Sequence, residues 1–143
     1  MRKDWDNYFM DIAMMVKERS TCPRLHVGAV IVKDKKIKGT GYNGSPPKIE
    51  HCDDIGCLMI DNHCKRAIHA ETNAIMQCSP EEREGATIYV TAQPCIDCAK
   101  AIIGSGITRV VYANPYTPRY DFLKDAPWIE VVCLATHENG VKN

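Results

Sequence analysis

Two short motifs place metal-binding and acidic side chains at the starts of two segments with helical character. His69 and Glu71 begin the first segment, and Cys95 and Cys98 begin the second, directly after Pro94. Cysteines three residues apart lie on one face of a helical turn, and proline is favoured at a helix start because its missing N–H would have no partner there. Unpaired N–H groups and the helix dipole stabilise thiolates at such a position. We therefore expect a fold that brings two helix N-termini side by side.

One histidine and two cysteines form a zinc shell with its fourth tetrahedral position open, which is the pattern of catalytic zinc. Two thiolates cancel the formal charge of Zn²⁺, so this metal should acidify water less than an all-histidine site does. Glu71 is not needed as a ligand, and we expect it to take the water proton. A redox Cys-x-x-Cys pair would leave the histidine unexplained, and a structural zinc would leave Glu71 unexplained.

The hydrophobic pattern around these motifs alternates between helical and extended segments. We predict helices at 4–19, from 69, from 94 and at 118–126, and strands at 27–32, 37–42, 86–92, 110–113 and 128–134. This order indicates an α/β protein, specifically a three-layer α/β/α sandwich with a five-stranded mixed sheet. The helix between the last two strands makes them parallel. Residues 79–85 are expected to be a solvated acidic connection, and residues 136–143 to be polar and loose.

Composition narrows the class of protein. The 143 residues suit one domain, 1–143, and 45% apolar with 25% charged residues is ordinary for a globular chain. The formal net charge is zero and no lysine/arginine stripe is visible, which argues against a nucleic-acid partner and for a small-molecule substrate. Without a secretory leader pattern or a membrane-length apolar run, we expect a cytoplasmic location and no membrane partner.

Residues 45–68 form a long segment without clear periodicity, and segments of this kind in a compact domain are usually functional. Clustered cysteines and histidines in a cytosolic chain indicate metal binding rather than disulfides. We therefore predict a second, structural zinc rather than scattered thiols. The preferred ligands are Cys22, Cys57, His63 and Cys64, with His51 and Cys52 as alternates.

The pattern H-x-E…P-C-x-x-C is the known signature of zinc nucleobase deaminases. With its other motifs, the chain resembles the deoxycytidylate (dCMP) deaminases of the cytidine deaminase superfamily, and the resemblance covers nearly the whole chain. The cysteine-rich segment resembles the two-zinc subgroup of competence-operon and phage proteins. The motifs that carry the resemblance are residues 19–22, 27–32, 41–46, 69–75 and 89–91, the last leading into 94–95.

The resemblance implies hydrolysis of dCMP to dUMP and ammonia, which would supply dUMP for dTMP synthesis. It places Asn43 on the deoxyribose hydroxyl and the main chain at Ala70 against the base. The 5′-phosphate would contact Arg19, Ser20 and Tyr120. Further phosphate candidates, which the sequence does not rank, are Arg24, Arg109 and Arg119.

The resemblance also implies a homo-oligomer, usually a hexamer, that dCTP activates and dTTP inhibits. The allosteric nucleotide, with Mg²⁺ as a candidate companion, would bind near Gly41, Tyr42, Asn43 and Gly44. The chain departs from the family pattern at residues 119–128, which are short and interrupted by proline where relatives often have a longer helix.

Three alternatives make different demands on the sequence. A tRNA adenosine deaminase shares the metal motifs, but it needs a basic flank to hold RNA. A free-nucleoside cytidine deaminase does not include the long cysteine-rich segment. A non-catalytic zinc-binding subunit would have no use for Glu71 beside an open metal site.

Overall fold

The computed structural model describes residues 2–23 and 26–134, in which helices and strands alternate along the chain. The helices are α1 Trp5–Val16, α2 Cys52–Ile55, α3 Ala70–Met76, α4 Pro80–Arg83 and α5 Ile96–Ser105. The strands are β1 Gly28–Lys33, β2 Lys36–Tyr42, β3 Met59–Ile60, β4 His63–Cys64, β5 Thr87–Ala92, β6 Arg109–Asn114 and β7 Glu130–Cys133. Short 3₁₀ turns cover Lys17–Arg19 and Phe122–Asp125.

The central sheet has five strands in the order β2-β1-β5-β6-β7. Strand β1 runs antiparallel to β2 and β5, whereas β5, β6 and β7 are parallel to one another. Helix α1 covers one face, and α3 and α5 cover the other, so the predicted α/β/α sandwich with a mixed sheet is confirmed. Within the described ranges, no helix is both long and apolar enough to cross a bilayer.

Strand β1 explains why the sheet is buried on both faces. Its residues alternate in direction, so Val30 and Val32 pack toward α1, while Ala29 and Ile31 pack toward α3 and α5. All four side chains are apolar and buried. The sequence of a strand that is covered on both faces is a continuous run of apolar residues, and residues 27–32 have this pattern.

The long segment at residues 45–68 is more ordered than its sequence indicates. It contains α2 and a two-stranded hairpin, β3–β4, whose turn residues Asp61 and Asn62 have positive φ angles of 52° and 66°. These elements span four and two residues, which is too short for hydrophobic periodicity to be recognised.

Two other predictions need correction. The acidic connection at 79–85 contains α4, whose first turn is closed by a reciprocal capping box between Ser79 and Glu82. The helix predicted at 118–126 is a 3₁₀ turn at Phe122–Asp125. The predicted loose end at 136–143 lies outside the described residues.

A polar network ties α1 to the sheet. The Arg109 guanidinium donates two hydrogen bonds of 2.7 Å to the Asp6 carboxylate, which also accepts from the Tyr89 hydroxyl at 2.7 Å. These hydrogen bonds from Arg109, and that from Tyr89, hold the pKa of Asp6 below its ordinary value despite partial burial. Glu130, on the outer side, accepts from Arg109 Nε at 3.0 Å but is largely exposed.

We expect Asp6→Asn to destabilise the protein by about 1–2 kcal/mol at pH 7, because the charged hydrogen bonds to Arg109 weaken. Since the pKa of Asp6 is lower in the folded state, this stabilisation is complete above the unfolded-state pKa and is lost as pH falls through the folded value. Urea unfolding of the wild-type and Asp6→Asn proteins from pH 7 to pH 3 measures this effect. The difference between their free energies of unfolding should shrink below about pH 4. Glu130→Gln, which changes an exposed partner, should cost no more than about 1 kcal/mol. A difference for Asp6→Asn that stays constant with pH would contradict the assignment.

Candidate functional site

Two helix N-termini meet at one edge of the sheet. His69 is the N-cap residue of α3, and Cys95 is the N-cap residue of α5, which follows β5 after Pro94. Cys98 lies in the first turn of α5 and is buried. The arrangement that the motif spacing predicted is therefore present.

The donor atoms of these three residues form one group. His69 Nδ1 lies 3.2 Å from Cys98 Sγ and 3.6 Å from Cys95 Sγ, and all three atoms are within 4.8 Å of one another. A nitrogen and a sulfur bound to tetrahedral zinc at ordinary bond lengths would be about 3.6 Å apart. The spacing of the donors thus fits zinc, and three donors leave one tetrahedral position for water or substrate.

The electrostatics of the group favour a cation. Hydrogen bonding from Cys98 and from His69 lowers the pKa of Cys95 to about 4, although burial opposes the shift. Cys95 also lies at a helix N-terminus, where thiolates are stabilised. A thiolate is therefore available to a metal at neutral pH.

Glu71 lies in the first turn of α3, two residues after His69, and is 4% exposed. Burial raises the pKa of its carboxyl, and its side chain is hydrogen-bonded to Cys98. The buried carboxyl therefore lies beside the group formed by His69, Cys95 and Cys98.

A second group consists of four thiols. The sulfurs of Cys22, Cys52, Cys57 and Cys64 lie within 4.8 Å of one another. Cys52 Sγ is 3.5 Å from Cys64 Sγ, and Cys22 Sγ is 3.9 Å from Cys57 Sγ. Two sulfurs bound to tetrahedral zinc would be about 3.8 Å apart, so these distances fit a closed four-cysteine site. We call this set the four-cysteine group.

Its membership differs from the preferred ligand set of the sequence analysis. His63 is exposed and lies outside the group, and Cys52, which was an alternate, takes its place. Neighbouring residues of a strand point to opposite sides, so Cys64 faces inward while His63 faces solvent. His51, the other alternate, places Nδ1 2.8 Å from Thr21 Oγ1 instead.

The backbone also prepares the four-cysteine group for a metal. Burial acts to raise the pKa of Cys64, but hydrogen bonds from the backbone N–H groups of Arg66 and Ala67 lower it to about 6. Burial raises the pKa of Cys52. A bound cation would favour deprotonation of all four thiols.

The residues predicted to bind substrate are only partly gathered at the site. Asn43 is buried beside the start of α3, and its Oδ1 accepts from the Ala70 N–H at 2.7 Å. Ser20 is buried next to Asn43 and donates to its carbonyl oxygen at 3.2 Å. Arg19 is exposed. Tyr120 is exposed too, and its hydroxyl donates to Asp125 at 2.6 Å.

Among the unranked arginines, Arg109 is excluded as a phosphate contact because its guanidinium is paired with Asp6 and Glu130. Arg24 lies outside the described residues. Arg119 lines an open cleft of about 670 Å³ with Gln93, Tyr116, Tyr120 and Lys124.

Sequence reasoning missed the two residues that join this cleft to the metal ligands. Gln93 immediately precedes Pro94, and its Oε1 accepts from the Tyr116 N–H at 3.0 Å. Burial and the charges of Cys95 and Cys98 raise the pKa of Tyr116. The available signal was the position of these residues, directly after two parallel strands, where ligands of α/β sheets bind.

The glycine-containing stretch 41–44 packs closely against helix α3. A Cβ on Gly41 would lie 2.2 Å from the Ala70 carbonyl oxygen and 2.5 Å from the Ala74 nitrogen. Glycine is therefore needed for close packing of β2 against α3. Asn43 and Gly44 are buried as well, and Tyr42 is partly exposed.

Comparison with known proteins gives consistent results. Residues 3–114 match the family described as the cytidine and deoxycytidylate deaminase zinc-binding region. The chain is 56% identical over 117 residues to ComE operon protein 2 of Bacillus subtilis (strain 168), covering 80% of this chain and 62% of that protein. It is 44% identical over 122 residues to the deoxycytidylate deaminase of Mycobacterium phage D29, covering 78% of this chain and 95% of the phage protein.

The fold has solved counterparts. The dCMP deaminase of cyanophage S-TIM5, in complex with dCMP and dUMP, superimposes with a TM-score of 0.77 at 30% identity, covering 93% of this chain and 98% of that one. The match to the Bacillus protein spans less than two thirds of that relative's length.

Proposed function

Because the chain belongs to the cytidine and deoxycytidylate deaminase family, we propose that it is a single zinc-dependent deaminase domain that hydrolyses dCMP to dUMP and ammonia. The observation that carries the proposal is a three-donor metal group, His69, Cys95 and Cys98, with the buried carboxyl of Glu71 against it. The phage D29 relative, matched over nearly its whole length, is a deoxycytidylate deaminase. The product, dUMP, would supply dTMP synthesis.

Zinc held by His69, Cys95 and Cys98 would supply Lewis acidity that lowers the pKa of a water molecule. Glu71 takes the proton from that water as the oxygen attacks C4 of the cytosine ring. Its carboxyl delivers this proton to ring N3, and then transfers the remaining hydroxyl proton of the attached oxygen to the departing amino group as the C4–N bond breaks. The reaction consumes one water, breaks the C4–N bond and releases ammonia. Burial of Glu71 keeps bulk water away from these transfers.

We assign the remaining substrate contacts as follows. Asn43 meets the deoxyribose hydroxyl, the main chain at Ala70 meets the base, and the 5′-phosphate is held by Arg19, Ser20 and Tyr120. For Tyr120 the assignment is supported by the cleft beside Gln93 and Tyr116, which Tyr120 lines together with the cations Arg119 and Lys124 and the acidic Asp121. Cationic side chains attract a nucleotide phosphate without needing a basic surface elsewhere.

The four-cysteine group is proposed to hold a second, structural zinc, which gives two zinc ions per chain. A closed set of four thiolates leaves no position for substrate. Its members come from the end of the α1 segment, from α2 and from the β3–β4 hairpin. One metal would thus fix a segment with little hydrophobic core of its own.

Regulation and location complete the proposal. We expect a homo-oligomer, with a hexamer favoured, that dCTP activates and dTTP inhibits, with Mg²⁺ accompanying the nucleotide near residues 41–44. Tyr42, the partly exposed residue of that stretch, would contact the effector. A cytoplasmic location is supported by the eight cysteines, none of which forms a disulfide.

Ammonia release from dCMP, deoxycytidine, dCTP and a tRNA anticodon stem-loop, each with and without dTTP, tests the proposal. We expect turnover of dCMP well above that of the other three substrates, because only dCMP has both the cytosine and a 5′-monophosphate. Inhibition by dTTP would support the regulatory part. Activity on the RNA alone would identify a tRNA deaminase, and inactivity of zinc-loaded protein on all four would identify a non-catalytic subunit.

A further inference from the structure

Helix α3 begins without a cap of its own. Its N-cap residue is His69, whose side chain is directed at Cys95 and Cys98 and makes no capping hydrogen bond within the described chain. The first N–H of the helix belongs to Ala70, which is fully buried. A buried N–H without an acceptor destabilises the fold, so another part of the chain must supply one.

Asn43, at the end of β2, supplies that acceptor. Its Oδ1 lies 2.7 Å from the Ala70 nitrogen. Hydrogen bonds also fix the backbone of Asn43. Its N–H donates to the carbonyl oxygen of Val27, and its own carbonyl oxygen accepts from the Thr21 N–H and the Ser20 hydroxyl. The acceptor is therefore presented from a fixed position.

Asn73 makes the opposite connection, one turn further along α3. Its Nδ2 donates to the carbonyl oxygens of Tyr42 at 2.8 Å and Ile68 at 3.3 Å. Ile68 also exchanges two backbone hydrogen bonds with Gly44, of 2.8 and 3.2 Å. Ile68, which precedes His69, is thus held at the end of β2 by Asn73 and Gly44. Ala70, which follows His69, is held there by Asn43.

The partner types fix which end of each amide makes the contact. A backbone N–H requires the amide oxygen of Asn43, and two carbonyl groups require the amide nitrogen of Asn73. Gly41 lets β2 approach α3 closely enough for both side chains to reach. We propose that Asn43 and Asn73 form a reciprocal amide brace that fixes the start of α3, and with it His69 and Glu71, as positioning residues for deamination.

This role is distinct from contact with the sugar hydroxyl. Groups that orient a metal ligand commonly contribute about 10- to 100-fold to activity or metal affinity. A pure hydroxyl contact would matter only for substrates that carry the hydroxyl. The inference rests on the proposed function for its kinetic readout, whereas hydrogen exchange at the start of α3 tests it without any substrate.

The variants are Asn43→Leu, which removes the acceptor, Asn43→Asp, which keeps it, and Asn73→Asp, which turns the donor into an acceptor. Asn62→Asp, at the exposed β3–β4 turn, is the matched control. Each zinc-analysed protein is assayed with dCMP and with 2′,3′-dideoxycytidine monophosphate, and amide exchange is followed at residues 69–75.

We expect Asn43→Leu to lose about 10- to 100-fold in kcat on both substrates and to exchange the Ala70 amide faster. Asn43→Asp should restore protection of that amide. Asn73→Asp should lower kcat with little change in KM, and the control should match wild type. If Asn43→Leu fails to fold, amide exchange at residues 69–75 in Asn43→Asp and Asn73→Asp tests the brace instead. Exchange should be near wild type in Asn43→Asp and faster in Asn73→Asp.

The brace is refuted if Asn43→Leu and Asn73→Asp leave exchange at residues 69–75 unchanged, or if Asn43→Leu loses activity only on the substrate with the 3′-hydroxyl. A wild-type protein inactive on dCMP would refute the proposed function, while the exchange measurements would still decide the brace.

Discussion

The Glu71→Gln protein is expected to fold, bind zinc and lose about 100- to 10,000-fold in kcat for dCMP. The amide has nearly the same shape as the carboxyl group but cannot carry a proton from water to the pyrimidine. Steady-state kinetics with zinc analysis of the same sample measures the effect. Because burial disfavours a charged Glu71, the neutral variant should melt at the wild-type temperature or above it.

Glu81→Gln provides the matched control, since Glu81 is exposed and lies in α4, which carries none of the metal-group residues. It should keep wild-type kcat and zinc content. The shuttle role would be contradicted by a Glu71→Gln protein that retains both its zinc and near-normal turnover. Loss of zinc from this variant would instead indicate that Glu71 supports the ligands.

Replacing Cys52 by serine is expected to remove one of two zinc ions per chain and to destabilise the protein by at least about 3 kcal/mol. For a chain of this size, that corresponds to a fall of about 10 °C in Tm. The physical reason is that structural zinc contributes binding energy to folding, and three remaining thiols cannot close the shell. Metal analysis and calorimetry measure both effects.

His63→Ala separates the ligand set in the structure from the one that the sequence favoured. His63 is exposed and outside the four-cysteine group, so this variant should keep two zinc ions and a wild-type Tm. Cys133→Ser, at an exposed cysteine on β7, controls for loss of a thiol. A Cys52→Ser protein with two zinc ions, or a His63→Ala protein with one, would contradict the assignment.

Much of the first metal group was accessible from the sequence because its chemistry is encoded locally. Cys95 and Cys98 sit three residues apart at a helix start, and His69 stands at another, with one strand between them. Once β5 and β6 are parallel, both helix starts lie near one edge of the sheet. Spacing and topology then suffice to bring the three donors together.

For the four-cysteine group, spacing in the sequence does not identify the ligands. His63 and Cys64 are adjacent in sequence and chemically suited to zinc, but strand β4 turns one outward and the other inward. The short helix α2 brings Cys52 into the group. Both elements are too short to leave a periodic signal, so the sequence predicted a second zinc but ranked its ligands differently.

By itself, the sequence determined the α/β/α order, the two zinc-ligand motifs and the presence of a carboxyl group that is no ligand, because each depends on spacing within a few residues. Only the tertiary structure decided which thiols share a centre, that Arg109 is bound to Asp6, and that Asn43 and Asn73 join the start of α3 to the end of β2. These features join residues far apart in the chain, and they form only where packing brings a donor within about 3 Å of its acceptor.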